Sequence, residues 1–456
     1  MNRNLLIKII GICLLVMLMS IAVSFINSII LERQNRQSDV IASISKSSAT
    51  QQTILGPVLA IPYTQIYNET ISENGIPKVV KYSLEDTAYI LPEQLAVQGN
   101  FATQFKFLGI YKALLYTLGS KVEGRFTIPK NLAVTELKPG AVVTWHEAYL
   151  SIGIADPRGI GSNPHLQWNG NRYAFSQGTK SNTLGKGMHA DIGKINPVEM
   201  DGDSQTVDFS FELDLKGMES FNVVPVANIN QVKLSSKWPH PHFNGSFLPE
   251  SDTQKINAEG FTARWEISSL ASNMQETLLA HLKTNTNCNT TCFDALSVSF
   301  VEPINIYSQA DRATKYGLLF IGLTFAGFFL FEILKNLPIH PAQYTMVGLA
   351  MAMFYLLLVS LSEHIGFGLA YLVASAACVG LLGYYLSHIL HSKARGMGFS
   401  IMLTALYGAL YGILSSEDNA LMMGSLLVFG LLALSMIATR KVDWYQINLP
   451  NKLSDK

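Results

Sequence analysis

Charge is scarce in this sequence. Lys, Arg, Asp and Glu make up 14% of its 456 residues, with 33 basic and 33 acidic side chains and a formal net charge of zero. A balanced, sparsely charged chain carries no electrostatic footprint for nucleic acid, so that partner class is excluded. Catalytic signatures are equally thin. Ser43 and Lys46 fit an S-x-x-K pattern, yet no K-T-G accompanies them, and the nucleophile of that chemistry depends on both. No nucleotide loop, kinase or protease signature has supporting context, so the chain reads as a non-enzyme that calls for no cofactor, with a membrane-bound enzyme acting on an envelope precursor, or a transporter using the C-terminal helices, as the alternative. There are only four cysteines. Cys13 and Cys378 fall in apolar runs and are expected to pack as small hydrophobes. Cys288 and Cys292, in NTNCNTTC, lie in the polar middle of the chain. In an oxidising compartment they are expected to form a disulfide in preference to a two-thiolate metal site, because no further Cys or His is nearby.

What the sequence does have is apolar length. Leu5–Leu31 and most of the chain after Tyr316 are oily. Tyr316–Leu334 and Tyr344–Leu361 each approach the ~20 residues an α-helix needs to cross hydrocarbon. NLPIHPAQ joins them, and Pro338 and Pro341 force a turn there. Phe367–Ile389, Met397–Leu414 and Ala420–Thr439 are three further spans. The first run follows Arg3, is too long for a signal-peptide core and shows no clear cleavage site, so it reads as an uncleaved anchor with its N-terminus inside. On that orientation Lys335, Lys393, Arg395, Arg440 and Lys441 fall on the cytoplasmic side, whereas Ser362–Gly366 and Glu417–Asp418 face out without Lys or Arg. Arg312 and Lys315 are the local exception.

The fold class is therefore an α+β membrane protein, with one N-terminal transmembrane helix, a β-rich, antiparallel sandwich-like periplasmic domain, and a C-terminal bundle of five transmembrane helices. The divisions are 1–31 for the anchor, 32–311 for the periplasmic domain, 312–441 for the bundle and 442–456 for a cytoplasmic tail. The middle reads as strands because β-branched and aromatic residues alternate with polar ones between Gly, Pro and Asn turns, as in TVDFSFELDL and NQVKLSS. GIYKALLYT is ambiguous between strand and helix. FTARWEISSLASNMQETLLAHL begins as a strand and finishes as a helix, and Ser38–Thr53 forms a stalk or helix.

Ionisable groups close to a bilayer are costly, so each needs a reason. Glu332 sits one turn inside the end of the second span. It either pairs with Lys335 three residues on or meets His340 or Gln343 as part of a relay. Ser362-Glu363-His364 spells a triad in letters, but neighbours on one chain cannot converge on one reacting atom. Glu363 is instead expected to bridge to Arg312 or Lys315. In the middle domain, Trp238-Pro-His240-Pro-His242-Phe243 places two imidazoles on one side of an extended segment. A metal would need a third ligand among His146, Glu147, His165 and His189, and the simpler reading is a proline-stiffened edge whose Trp and Phe plug the sandwich. Asp156-Pro157-Arg158-Gly159 has turn chemistry, and Arg158 is expected to clamp a carboxylate across the domain. Gly408 and Gly412 form a GxxxG suited to helix packing.

FFLFE, IHPAQY and VGLAMAMFYLLLVSLSEH in the hairpin, together with GPVLAIPY, GIYKALLY, DPRGI, WPHPHFNGSFLP and RATKYGLLFIGLTF, resemble the CreD family of inner-membrane proteins of Gram-negative bacteria. The resemblance runs from the first helix to about Tyr384. It implies this topology and a role in envelope integrity and stress, under two-component control. The partners expected are membrane lipids and a periplasmic envelope protein, lipid or glycan.

Overall fold

The computed structural model describes residues 3–440, apart from 74–75, 133, 135–136, 196–202, 287–291, 301, 303–304, 336–338, 391 and 417–419. Cys288, Pro338, Glu417, Asp418, Lys441 and the 442–456 tail lie outside the described residues, as does the side chain of Lys335. The chain divides into two compact units, Met1–Asp39 with Ile304–Lys456, and Val40–Pro303.

The helices of this unit are largely apolar and carry no proline beyond a first helical position. Among the described residues five helices are long and apolar enough to cross a membrane: α1 (Arg3–Ser47), α3 (Ile306–Lys335), α4 (Pro341–Ile365), α5 (Phe367–Ile389) and α6 (Lys393–Ser415). A further apolar helix, α7 (Ala420–Thr439), packs on α6. α3 starts ten residues before the apolar run, so Asp311, Arg312 and Lys315 stand on a helical lead-in. α4 starts at Pro341 itself, because a proline at the first helical position forfeits no hydrogen bond. Aromatic rings fill the interior. Phe354 meets Tyr355, Tyr371 and Tyr407 edge to face at centroid distances of 5.0, 5.4 and 4.7 Å. Gly348 is a point of close approach: a Cβ there would lie 2.8 Å from Phe325 and 2.9 Å from Met19. Of the GxxxG pair, Gly412 faces Met423 and Gly408 faces open space.

The second unit holds two sheets over one core, with helix α2 (Met274–Thr284) burying Met274, Leu278 and Leu282 into it. The first sheet takes β1 (Gln52–Glu73), β2 (Ile76–Ile90), β5 (Val142–Trp145), β6 (Glu147–Ile154), β9 (Ser176–Gln177), β10 (Gly187–Lys194), β12 (Ser220–Val224), β14 (Pro241–Gly245) and β17 (Leu296–Phe300). The second takes β3 (Gln94–Leu108), β4 (Tyr111–Pro129), β7 (His165–Trp168), β8 (Asn171–Ala174), β11 (Ser204–Met218), β13 (Ile229–Ser236), β15 (Lys255–Asn257) and β16 (Gly260–Ser268). Period-two alternation sets the faces. On β11, Val207, Phe209, Phe211, Leu213 and Leu215 point into the core while Asp208, Glu212 and Asp214 point out. β6 departs from that pattern, being buried along Ala148–Ile154, as a central strand covered on both faces is.

The sheets are mixed rather than purely antiparallel, since β1 pairs β12 in parallel and β3 pairs β13 in parallel. A parallel neighbour needs a long crossover, which alternation within a strand does not encode. GIYKALLYT is strand, the start of β4, and the Trp265 segment runs from β16 into α2. The stalk after residue 38 is the end of α1.

Candidate functional site

Ion pairs of the helical unit cluster at the two ends of α4, while the Tyr371 hydroxyl donates to the Tyr407 carbonyl at 2.7 Å and the Tyr407 hydroxyl to Cys378 at 3.2 Å mid-helix. Glu332 lies near the end of α3 with its side chain 1% exposed. Lys8 of α1 forms an ion pair with its Oε1, the Ile339 N–H donates to the same oxygen at 3.2 Å, and the Tyr344 hydroxyl donates to Oε2 at 2.9 Å. Lys8 also donates to the Ile339 carbonyl at 3.2 Å. One carboxylate thus ties α1, α3, the joint and α4 together. His340 and Gln343 take another role. His340 Nδ1 accepts from the Ala342 N–H at 3.2 Å, and Gln343 Oε1 accepts from the His340 N–H at 3.1 Å, a capping box that starts α4. The relay from Glu332 to His340 or Gln343 is therefore corrected: the turn geometry engages both side chains with backbone groups.

At the other end of α4, Glu363 receives the Tyr307 hydroxyl at 3.0 Å and faces Arg33 at 3.7 Å. Thr314 donates to Asn27 at 3.1 Å and Asn305 to Gln37 at 3.3 Å, so α1 is fastened to α3 along the same end. Lys315 does not make the expected bridge to Glu363. It pairs with Asp311 one turn earlier at 2.6 Å, a reach its own helix supplies. His364 is exposed in the last turn of α4, where a basic group suits the helix dipole.

In the two-sheet unit, Arg158 finds its carboxylate two residues away. Asp156 accepts from Arg158 Nη2 at 2.6 Å and Nε at 2.9 Å, and from the Thr50 N–H and hydroxyl at 3.0 and 3.1 Å. Arg158 Nη1 donates to the Lys46 carbonyl at 2.7 Å, capping the last turn of α1. The guanidinium above all, with the Thr50 donors, holds the Asp156 carboxyl well below the usual range. DPRG is thus the socket for the end of α1.

The histidines do not converge. His242 is exposed on β14, an edge strand, and His240 precedes it, also exposed. His146 bonds Thr64 at 2.7 Å, His165 is on β7 of the other sheet, and His189 on β10 bonds the Gly178 carbonyl at 2.6 Å. Among the described residues no three His, Cys, Asp or Glu side chains group as metal ligands. Phe243 plugs the core against Phe261 and Trp265, both at 5.6 Å, whereas Trp238 lies at the surface against Phe105 at 5.9 Å. Cys292 is disulfide-bonded, and its expected partner Cys288 is outside the described residues. On the outer face of the second sheet, Gln94, Glu123, Arg125, Gln167, Asp208 and Gln231 line an open polar trough of about 680 Å³.

Sequence comparison places this geometry among known proteins. The family described as "Inner membrane protein CreD" matches residues 4–445. The chain belongs to the CreD family. The inner membrane protein CreD of Escherichia coli (strain K12) is 34% identical over 441 residues, covering 97% of this chain and 94% of that protein. The match spans both units of this CreD-family chain, so the two-sheet unit and the apolar helices are parts of one inner-membrane protein with several spanning helices.

Sequence reasoning missed Lys8, Tyr344, Arg33 and Tyr307 as partners. A usable signal existed for one of them: Lys8 is a lone cation inside the first apolar run, and a lone buried anion in another span calls for such a partner.

Proposed function

We propose that this protein is a non-enzymatic component of the envelope, supporting its integrity under stress. Its two-sheet unit stands on the periplasmic side and binds an envelope lipid, glycan or protein, and both termini are cytoplasmic. The observation that carries this reading is the division of labour in the helical unit. Its charged side chains join helices at their ends, while Phe320, Phe325, Phe328 and Phe354, each no more than 3% exposed, fill the interior. A transporter commonly places ionisable carboxylates or lysines, or broken helices, near the midplane, whereas the polar groups inside this bundle include the Tyr355, Tyr371 and Tyr407 hydroxyls and the Cys378 thiol, so an anchor fits better. The sidedness is supported by Lys393, Arg395 and Arg440 against the uncharged Gly366 turn between α4 and α5. The spread of histidines over separate strands favours binding over catalysis, and the trough beside Arg125 and Gln231 is the surface on which a polar ligand would rest.

The test has two parts. A reporter inserted at Gly178 should be active only outside the cytoplasm, and cytosolic activity refutes the orientation. Photo-crosslinking in living cells from Gln231 should capture an envelope molecule, and an empty trough under envelope stress refutes the binding role.

A further inference from the structure

The β3–β4 hairpin ends in a surface that water disfavours. Its two-residue turn is Gly109–Ile110, with Gly109 at φ +64°, a conformation glycine adopts without strain. Around that turn Phe105, Phe107, Leu108 and Ile110 are 39%, 66%, 49% and 44% exposed. Trp238, from the proline-rich segment ahead of β14, stands edge-on against Phe105 and donates its indole N–H to the His240 carbonyl at 3.1 Å. Lys106 is exposed on β3 between Phe105 and Phe107, Lys237 is exposed next to Trp238, and Lys112 lies 4.6 Å over the Phe105 ring. Two stretches far apart in sequence, FKFLGIYK and WPHPH, therefore make one patch with apolar rings at its centre and lysines at its rim.

The base of the hairpin shows which way it points. Gln52 donates to the carbonyl of Lys216, which is paired with Thr117, and the Met218 N–H, paired with Leu115, donates to Thr50. Ala113 then packs with Ile44, Val40 and Ile41. The order Thr117, Leu115, Ala113 thus tracks residues 52, 50 and 44, so the tip runs back alongside α1 toward that helix's earlier residues. These earlier residues, Val40, Ile41 and Ile44, belong to the hairpin's own unit, and in sequence they follow the apolar run that ends at Leu31. Lys112 in turn pairs with Glu302, four residues before α3 begins. The hairpin is held by the two pieces of chain that connect its unit to membrane helices.

We infer that the β3–β4 tip, with Trp238, dips into the headgroup region of the bilayer that holds this chain's own helices, with Phe107 and Leu108 against the acyl boundary and Lys106 on anionic phosphates. Aromatic rings of amphipathic character and lysines with apolar stems are the side chains this layer favours. Each rim lysine adds attraction to an anionic leaflet. The inference deepens the binding role proposed above by naming lipid as one partner. It rests on the unit being tethered at a membrane surface and not on which surface that is.

A photoreactive phenylalanine analogue placed at Phe107 of the full chain, reconstituted in bilayers of phosphatidylethanolamine and phosphatidylglycerol, tests it. The control position is Leu270, which is 95% exposed in the same unit. Phospholipid adducts at Phe107 several-fold above those at Leu270, reduced by Lys106→Gln or by omitting phosphatidylglycerol, are expected. The analogue at Ile110 repeats the measurement should Phe107 label poorly. Equal yields at Phe107, Ile110 and Leu270 overturn the inference. So do adducts to protein at Phe107 in native membranes, which assign the patch to a protein partner. Lipid adducts together with a Gly178 reporter active only in the cytosol would support this inference and overturn the sidedness proposed above.

Discussion

Replacing Glu332 is the sharpest perturbation of the helical unit. The carboxylate accepts from three donors on α1, the α3–α4 joint and α4, and its side chain is almost wholly buried while Lys8 is 17% exposed. Glu332→Ala leaves the Tyr344 hydroxyl and the Ile339 N–H without this acceptor and leaves Lys8 with the Ile339 carbonyl alone. Breaking a buried pair by removing one partner typically costs ~3–5 kcal/mol. Lys8 is near a helix end and can turn its ammonium toward the headgroups, which favours the lower end, about 3 kcal/mol. Glu332→Gln keeps one amide oxygen for Tyr344 or Ile339 and loses the charge, so about 1–2 kcal/mol is expected. The assay is reversible denaturation of the full chain in mixed micelles, run as a double-mutant cycle with Lys8→Met. Coupling between Lys8→Met and Glu332→Gln should be about 1–3 kcal/mol, as for residues in direct contact. Additivity to within ~0.5 kcal/mol would show that the pair does not join α1 to α3, and the anchor argument would lose its footing.

Asp156→Asn should weaken the socket at the end of α1 by about 1–2 kcal/mol, since hydrogen bonds to a charged partner are replaced by neutral ones. Because the folded-state pKa of Asp156 is depressed, its contribution is present above the ordinary carboxylate value and is lost as pH falls through the lower folded value. Unfolding measured against pH should show wild type and Asp156→Asn converging in acid, and a constant gap would refute the assignment. His340→Ala should cost about 1 kcal/mol whereas His340→Asn, which still caps, should cost little. A loss of function in His340→Asn without a loss of stability would revive the relay. Gly348→Val pushes a branched side chain against Phe325 and Met19 and should cost about 1–3 kcal/mol in the same denaturation assay. Wild-type stability would mean that α1 and α3 do not close on α4 there.

Much of the architecture was legible because it is written in short-range pattern. Apolar length marked the spans, alternation marked β11 and β13, and DPRG announced its own turn. The Arg158 carboxylate lay only two residues away, yet its helix target, the Lys46 carbonyl, is 112 residues distant and left no local trace. The ends of α4 show the same limit. His340 and Gln343 look like relay partners for Glu332 because they are close in sequence, but a backbone N–H at a helix start competes for both. Glu332 and Lys8 are 324 residues apart, and only a charge inventory across spans, taken one membrane face at a time, pairs them. The patch at Phe107 was invisible for another reason. Strand alternation puts Phe105 and Phe107 on one face, but whether that face is covered depends on what the rest of the chain places over it.

The parallel pairing of β1 and β12 sets the order in which this protein can be finished. Gln52–Leu55 has Phe221–Val224 as its neighbour, and β12 in turn needs β17, which ends at Phe300 just ahead of α3. One edge of Gln52–Leu55 therefore waits, its backbone donors and acceptors unmatched, until β12 has been made, and β12 waits in turn for β17. Such long-range closure is slow and leaves sheet edges open to the wrong neighbours in the meantime. A stop in synthesis anywhere before Phe300 would strand an incomplete sheet at the membrane, a substrate for chaperones and proteases rather than a smaller working protein.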